Sequence, residues 1–156
     1  VEGMSISENI SLTIMEKMLR YGFIHSKKEQ QLADLYRKKM NIKSYSARQA
    51  VGKLSGGNQQ KVVLSKWLGT DPQILLLDEP TRGIDVNAKN EIYKLIDELA
   101  GAGMAIIVVS SELPEIMAIS DRIITVCLGR QTGEFTRDQF TEEGILKCAL
   151  PDGSRN

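Results

Sequence analysis

Two rhythms of hydrophobic spacing divide this 156-residue chain. Through residues 1–53 the apolar positions recur at helical intervals with few β-branched clusters, so this stretch reads as helical. Ser26 and Glu29 stand three apart, the spacing of a capping box, and Leu32, Leu35, Tyr36 and Met40 follow as one stripe. A further helix opens at Gly56-Gly57 and carries Val62, Val63, Leu64, Trp67 and Leu68. From residue 73 the period changes. QILLLD (73–78) and MAIIVVS (104–110) are continuous apolar runs, the mark of strands buried on both faces. Between them Ile92, Leu95, Ile96 and Leu99 give a helical stripe that ends at Gly101 and Gly103. ELPEIMAIS reads as a short helix and RIITVCL (122–128) as a third strand, with Gly129 and Gly133 punctuating a hairpin into TGEF. Thr141, Glu142 and Glu143 open a last helix that stops before Pro151. Strands alternating with helices predict an α/β fold with a parallel sheet and crossover helices.

Composition narrows the function classes. The chain is 42% hydrophobic and 26% charged, an ordinary globular balance. Its formal net charge of zero gives no electrostatic case for nucleic acid or anionic lipid as principal partner. Lys27, Lys28, Arg37, Lys38 and Lys39 make one helix face basic, which reads as a solvated surface. His25 precedes that helix as a lone loop histidine and suggests no catalysis. Cys127 and Cys148 lie in apolar runs and read as reduced structural cysteines of a cytosolic protein. No run reaches membrane-span length, and the N-terminus has no signal-peptide pattern. The chain starts mid-phrase without Met, as an excised piece of something longer would.

Three short stretches carry candidate chemistry. In KLSGGNQQK a turn of small residues, Ser55, Gly56 and Gly57 with Asn58 beside them, delivers backbone N–H groups at a helix N-terminus. That is an arrangement for an anion. The run ILLL ends in Asp78-Glu79-Pro80, placing two acids at the carboxyl end of a parallel strand, where α/β sheets bind ligands. Asp78 there suits Mg²⁺ held through water, and Glu79 suits orienting or deprotonating an attacking water; the alternative is a strand that merely ends in a polar turn. TRGIDV then places Asp85 in a glycine-containing loop, and VVSSELPE ends the next strand at Ser111. Ser111 is either a site residue or the N-cap of the helix that begins at Glu112.

The order LSGGNQQK, ILLLDEP, GID and SSELPE resembles the ATP-binding cassette ATPases of membrane transporters. It is most similar to the second cassette of monosaccharide importers in which two cassettes are fused in one chain, the ribose, galactose and xylose type. The resemblance covers essentially the whole sequence. It implies a truncated P-loop (RecA-like) parallel sheet with an α-helical signature subdomain, residues 1–70 forming that subdomain and 71–156 the C-terminal half of the ATPase core. ATP and Mg²⁺ are the implied cofactors, in the intact protein. Ser55, Gly56 and Gly57, with Asn58, would meet the γ-phosphate of an ATP held by the other cassette. Asp78 would serve the metal and Glu79 the hydrolytic water at this cassette's own site, Asp85 would bridge the two cassettes, and Ser111 would occupy the switch position. The implied partners are the fused cassette and transmembrane permease subunits, at the cytoplasmic face of the membrane, with no nucleic acid.

The sequence departs from that family in two ways. A phosphate-cradling G-x-x-x-x-G-K-[ST] and the glutamine loop are absent, and the switch position commonly filled by histidine is Ser111. A helix N-terminus offers an anion ~0.3–1 kcal/mol, far short of the ~4 kcal/mol that even millimolar affinity needs. The chain alone is therefore expected neither to hold nor to hydrolyse ATP. The family's strand for the phosphate loop would lie between residues 105–109 and 122–127. Its absence leaves an open apolar edge, and self-association of the 156-residue chain, or else a local rearrangement that closes the gap, is expected. Two other readings remain, a soluble non-transport ATPase of the same family and a hydrolytically silent structural or regulatory cassette.

Overall fold

The computed structural model describes residues 1–20 and 23–151. The helical reading of residues 21–22, and the end of the proposed core at 152–156, lie outside the described residues. The chain forms two compact units, one of residues 1–76 and 80–107, the other of residues 77–79 and 108–156.

The first unit is built on α1 (Ile6–Ser11), α2 (Met15–Met18), α3 (Ser26–Lys39), α4 (Gly56–Leu68) and α5 (Val86–Gly101). Ser5 and Glu8 form the capping box of α1: the Ser5 hydroxyl accepts from the Glu8 N–H, and the Glu8 carboxylate accepts from Ser5 N. Ile6 and Ile10 of α1 are fully buried, packed among α3 and α4, which contribute Ala33, Val62, Leu64 and Leu68. Val63 and Trp67 of the same stripe face solvent. On α5 the stripe Ile92, Leu95, Ile96 and Leu99 is buried as its spacing predicts.

Two expectations for residues 1–53 are corrected. The stretch is not wholly helical, because β1 (Leu19–Arg20) and β2 (Phe23–Ile24) pair as a short antiparallel ribbon. Nor do Ser26 and Glu29 form a capping box. His25 is the N-cap of α3, its Nδ1 accepting from the Lys28 N–H at 3.3 Å. Ser26 thus lies inside the helix, and Glu29 accepts instead from the Ser11 hydroxyl on α1 at 2.7 Å. A tertiary partner outcompetes the local cap.

Strands β3 (Ile74–Asp78) and β4 (Ala105–Val109) pair in a two-stranded sheet. Ala105 N donates to Gln73 O at one end and Glu79 N to Val109 O at the other, so both chains advance together and the pair is parallel. The helix α5 is its crossover. The expectation of burial on both faces is corrected. Leu75 and Leu77 are buried, but Ile74 and Leu76 are 60% and 71% exposed, and Ile107 and Val109 are 56% and 58% exposed. Only alternate side chains find a cover among the described residues, which gives these strands the burial period of a half-covered sheet.

In the second unit, β5 (Arg122–Cys127) and β6 (Arg130–Thr136) form an antiparallel hairpin on which α7 (Glu142–Ala149) packs. Leu128 (φ 49°) and Gly129 (φ 76°) both have positive φ, the requirement of the two-residue turn whose twist suits a hairpin. Gly133 lies within β6, where a Cβ would come 2.8 Å from Thr125 Oγ1. Thr141 caps α7 by accepting from Gly144 N. Among the described residues β4 pairs only with β3, and β5 only with β6. Both cysteines are free and half-buried.

Candidate functional site

The candidate residues fall into two groups, one in each unit. In the first unit, the α4 N-terminus begins with Ser55 as N-cap (φ −62°, ψ 154°), exposed along with Gly56. No side chain caps the helix, so the first-turn N–H groups keep their donor capacity. The Ser55 hydroxyl instead accepts from Asn58 Nδ2 at 2.7 Å. Asn58 Oδ1 in turn accepts from the backbone N–H of Lys43 at 2.8 Å. The loop after α3 is therefore tied to the helix start through one amide.

The two glycines do different things. A Cβ on Gly56 would lie 3.2 Å from Ile84 Cγ2, tight but next to a side chain able to give, and the position is open to a ligand. Gly57 is buried, and a Cβ there would fall 2.5 Å from the Cβ of Ala88. Only hydrogen fits. Gly57 is thus a helix-packing glycine that lets α4 approach the first turn of α5. Asp85 is the N-cap of α5 and accepts from Ala88 N at 3.0 Å, so its carboxylate is held beside the helix that meets Gly57. Ala88 joins Gly57 and Asp85, and nothing in the local motif spacing reveals it.

A second connection runs between the same helices. The Lys61 ammonium, buried with 4% residue exposure, donates to Glu91 Oε2 at 2.6 Å and to Asn41 O at 3.2 Å. The Lys61 hydrogen bond and charge hold the Glu91 carboxyl below its ordinary range, with help from Lys43 at 3.9 Å and against repulsion from Asp85. Lys61 lies in the signature stretch, but its burial, and with it the need for a partner, is visible only in the fold.

In the second unit Glu79 follows β3 with φ 47°, a left-handed conformation that a non-glycine residue adopts at a cost of order 1–3 kcal/mol. Its N–H donates to Val109 O, and its Oε1 accepts from the Ser111 N–H at 2.8 Å. Glu79 and Ser111 are therefore brought together at the strand ends, with Asp78 exposed immediately before. Ser111 does not cap the following helix. That helix, α6 (Leu113–Ile119), has Glu112 as N-cap, and the local hydroxyl bond comes from Ser110, which accepts from Glu112 N and donates to Glu115. No cluster of three or more His, Cys, Asp or Glu residues able to hold a metal occurs among the described residues. One exposed carboxylate, Asp78, nevertheless suits Mg²⁺, which keeps most of its waters and binds through one or two carboxylates plus phosphate oxygens.

The sequence profile of the family described as "ABC transporter" matches residues 2–82 of this chain. The chain belongs to the ABC transporter family. Among the curated relatives of this ABC chain, a ribose import ATP-binding protein of Rhodopirellula baltica is 53% identical over 151 residues, covering 97% of this chain and 30% of the relative. An arabinose import ATP-binding protein of Rhizobium meliloti is 48% identical over 155 residues, and a xylose import ATP-binding protein of Geobacillus kaustophilus 51% over 146. They are covered over 30% and 29% of their lengths, against 99% and 94% of the ABC chain. The chain thus spans about 30% of the length of the relatives it matches. The fold is similar to that of an inward-facing metal-chelate-type ABC transporter, with TM-score 0.79 at 17% identity over 94% of this chain and 58% of that one. It is also similar to a dimeric ATP-binding cassette in a post-hydrolysis state bound to ADP and phosphate, with TM-score 0.72 at 25% identity over 90% and 60%. These neighbours bear out the P-loop α/β core with its helical part.

Proposed function

We propose that this chain is part of the ATP-hydrolysing subunit of a monosaccharide importer, where it couples ATP binding and hydrolysis to transport. The observation that carries the reading is the 48–53% identity to ribose and arabinose import ATP-binding proteins along 97–99% of the chain. Residues 1–70 serve as the signature subdomain and 71–156 as the C-terminal half of the core. The subunit sits peripherally on the cytoplasmic face, paired with a second cassette and docked on transmembrane permease subunits. No helix among the described residues is long and apolar enough to cross a membrane.

Within the reading, the exposed start of α4 meets the γ-phosphate of an ATP whose β-phosphate another domain grips. Ser55 and the Gly56 N–H group donate, Gly57 sets how closely α4 lies on α5, and Asp85 at the next helix start faces the partner cassette. Asp78 serves Mg²⁺, whose charge neutralises phosphate oxygens when it is bound. Glu79 orients or deprotonates the attacking water, and the Ser111 N–H fixes one oxygen of its carboxylate. Hydrolysis of this kind is positioning and electrostatics.

The test is the full-length protein reconstituted in vesicles with its permease subunits, with ATPase rate and pentose uptake measured together. Uptake that depends on ATP, with Glu79→Gln lowering turnover by roughly 10²–10⁴ at the affected site, is the expected result. An ATPase indifferent to both permease and Glu79→Gln would overturn the reading.

A further inference from the structure

We propose that Asn58 is a positioning residue that fixes the direction of the Ser55 hydroxyl, leaving its hydrogen free for an anionic oxygen of the nucleotide; this rests on the reading of the α4 N-terminus as a γ-phosphate contact. The two ends of the Asn58 amide face different neighbours. A backbone N–H can only donate, so the Asn58 atom that meets Lys43 N at 2.8 Å is the carbonyl oxygen. The other end is then the NH₂ group, which has hydrogens and no lone pair to offer, and it lies 2.7 Å from Ser55 Oγ.

Ser55 Oγ must therefore accept from Asn58, and its own hydrogen has to point elsewhere. A serine hydroxyl is otherwise a rotor with one donor and two acceptor sites, able to greet a ligand with either. Ser55 is exposed and caps no N–H of its own helix, so the remaining direction is outward. An ionised phosphate oxygen accepts only. A hydroxyl that arrives with its hydrogen outward matches it without reorganising, and the uncapped first-turn N–H groups share that polarity. The signal originates outside the motif, at the backbone of residue 43 in the loop after α3.

The test is a double-mutant cycle in the full-length protein, reading kcat/KM for MgATP hydrolysis. Asn58→Asp keeps the shape but replaces the NH₂ by an acceptor, which turns the Ser55 hydrogen inward. The expected loss is roughly 10- to 100-fold, the range for a hydrogen bond to a charged group. Asn58→Ala merely frees the rotor and should cost a few-fold. Ser55→Ala should by itself lose about as much as Asn58→Asp, and the double variant should lose little more than either. Partial recovery of Asn58→Asp at acidic pH, where its carboxyl regains a donor, is expected only while Ser55 is present. Losses that add in the double variant would mean that the carboxylate acts by plain repulsion, which overturns the proposal and leaves the phosphate-contact reading standing. An unchanged rate in Ser55→Ala would overturn that reading, and the proposal with it. If Asn58→Asp fails to fold, an Asn58→Ala variant as impaired as Ser55→Ala would equally count against a hydrogen-directing role.

Discussion

The core around α1 and the β3–β4 pair cover their apolar side chains to different extents. Around α1 the helices close a core of their own, with Ile6, Ile10 and Ala33 fully buried and the polar ends capped or paired. The strands carry a denser apolar run, yet bury Leu75 and Leu77 while presenting Ile74, Leu76, Ile107 and Val109 to solvent. Apolar density measures how much cover a segment needs, whereas burial depends on which neighbours are present to supply it. The helices meet that need around α1, although Leu35, Val63 and Trp67 stay exposed, and the strands meet it on one face.

If the exposed strand residues are a surface awaiting cover, copies of the 156-residue chain will supply it to one another, by face contact or along the open edge of β4. Sedimentation is expected to show a concentration-dependent dimer. Leu76→Ser, with Ile107→Ser, should weaken it by about 1.5–3 kcal/mol for each large side chain removed from the contact. A monomer at high concentration, or a dimer indifferent to these changes, would place the association elsewhere.

A smaller effect tests the closed side. Gly57→Ala puts a methyl group where Ala88 already stands, 2.5 Å away, and overpacking of this kind costs about 1–3 kcal/mol. The expected denaturant midpoint is lower for Gly57→Ala and largely restored by adding Ala88→Gly, which vacates the same volume. Restoration is the informative result, because a glycine needed only for access to a ligand would show no such compensation.

Much of this was legible in the sequence, and the failures have physical causes. The long elements, their order and the parallel pairing followed from period and run length. The cover over β3 and β4 did not, because a run such as Ile74–Leu77 has the same apolar content whether one face or both are packed. Ser26 and Glu29 had the right spacing for a cap, but His25 took the cap and the Ser11 hydroxyl took Glu29. At the candidate site the motif residues Asp78, Glu79, Asp85 and Ser55 stand out by type and position. The contacts that organise them are non-local: Ala88 against Gly57, Lys43 on Asn58, and the Ser111 N–H on Glu79. Motif spacing names candidate groups by type and position, and the tertiary contacts that orient them appear only in the fold.

The smallest expected effect concerns Lys61 and Glu91, which tie α4 to α5 beside the same packing glycine. Lys61 is buried, so its ammonium depends on Glu91 and the Asn41 carbonyl for compensation. Glu91 is 42% exposed at its side chain, and water screens part of the attraction. Its carboxyl is held below the ordinary range in the folded state by the Lys61 hydrogen bond and charge. A depressed folded-state pKa means that the unfolded chain binds the proton first. The contribution to stability is therefore complete above the ordinary carboxylate range and fades as pH falls through it towards the lower folded value. After discounting for solvent, about 1 kcal/mol is the expected size. Glu91→Gln should lower stability at neutral pH and flatten its decline between neutral and acidic pH, measured by denaturant unfolding at several pH values. A variant with the wild-type slope would show that the pair holds the helices together without a titrating contribution, leaving Gly57 and Ala88 as the contact that seats α4 on α5.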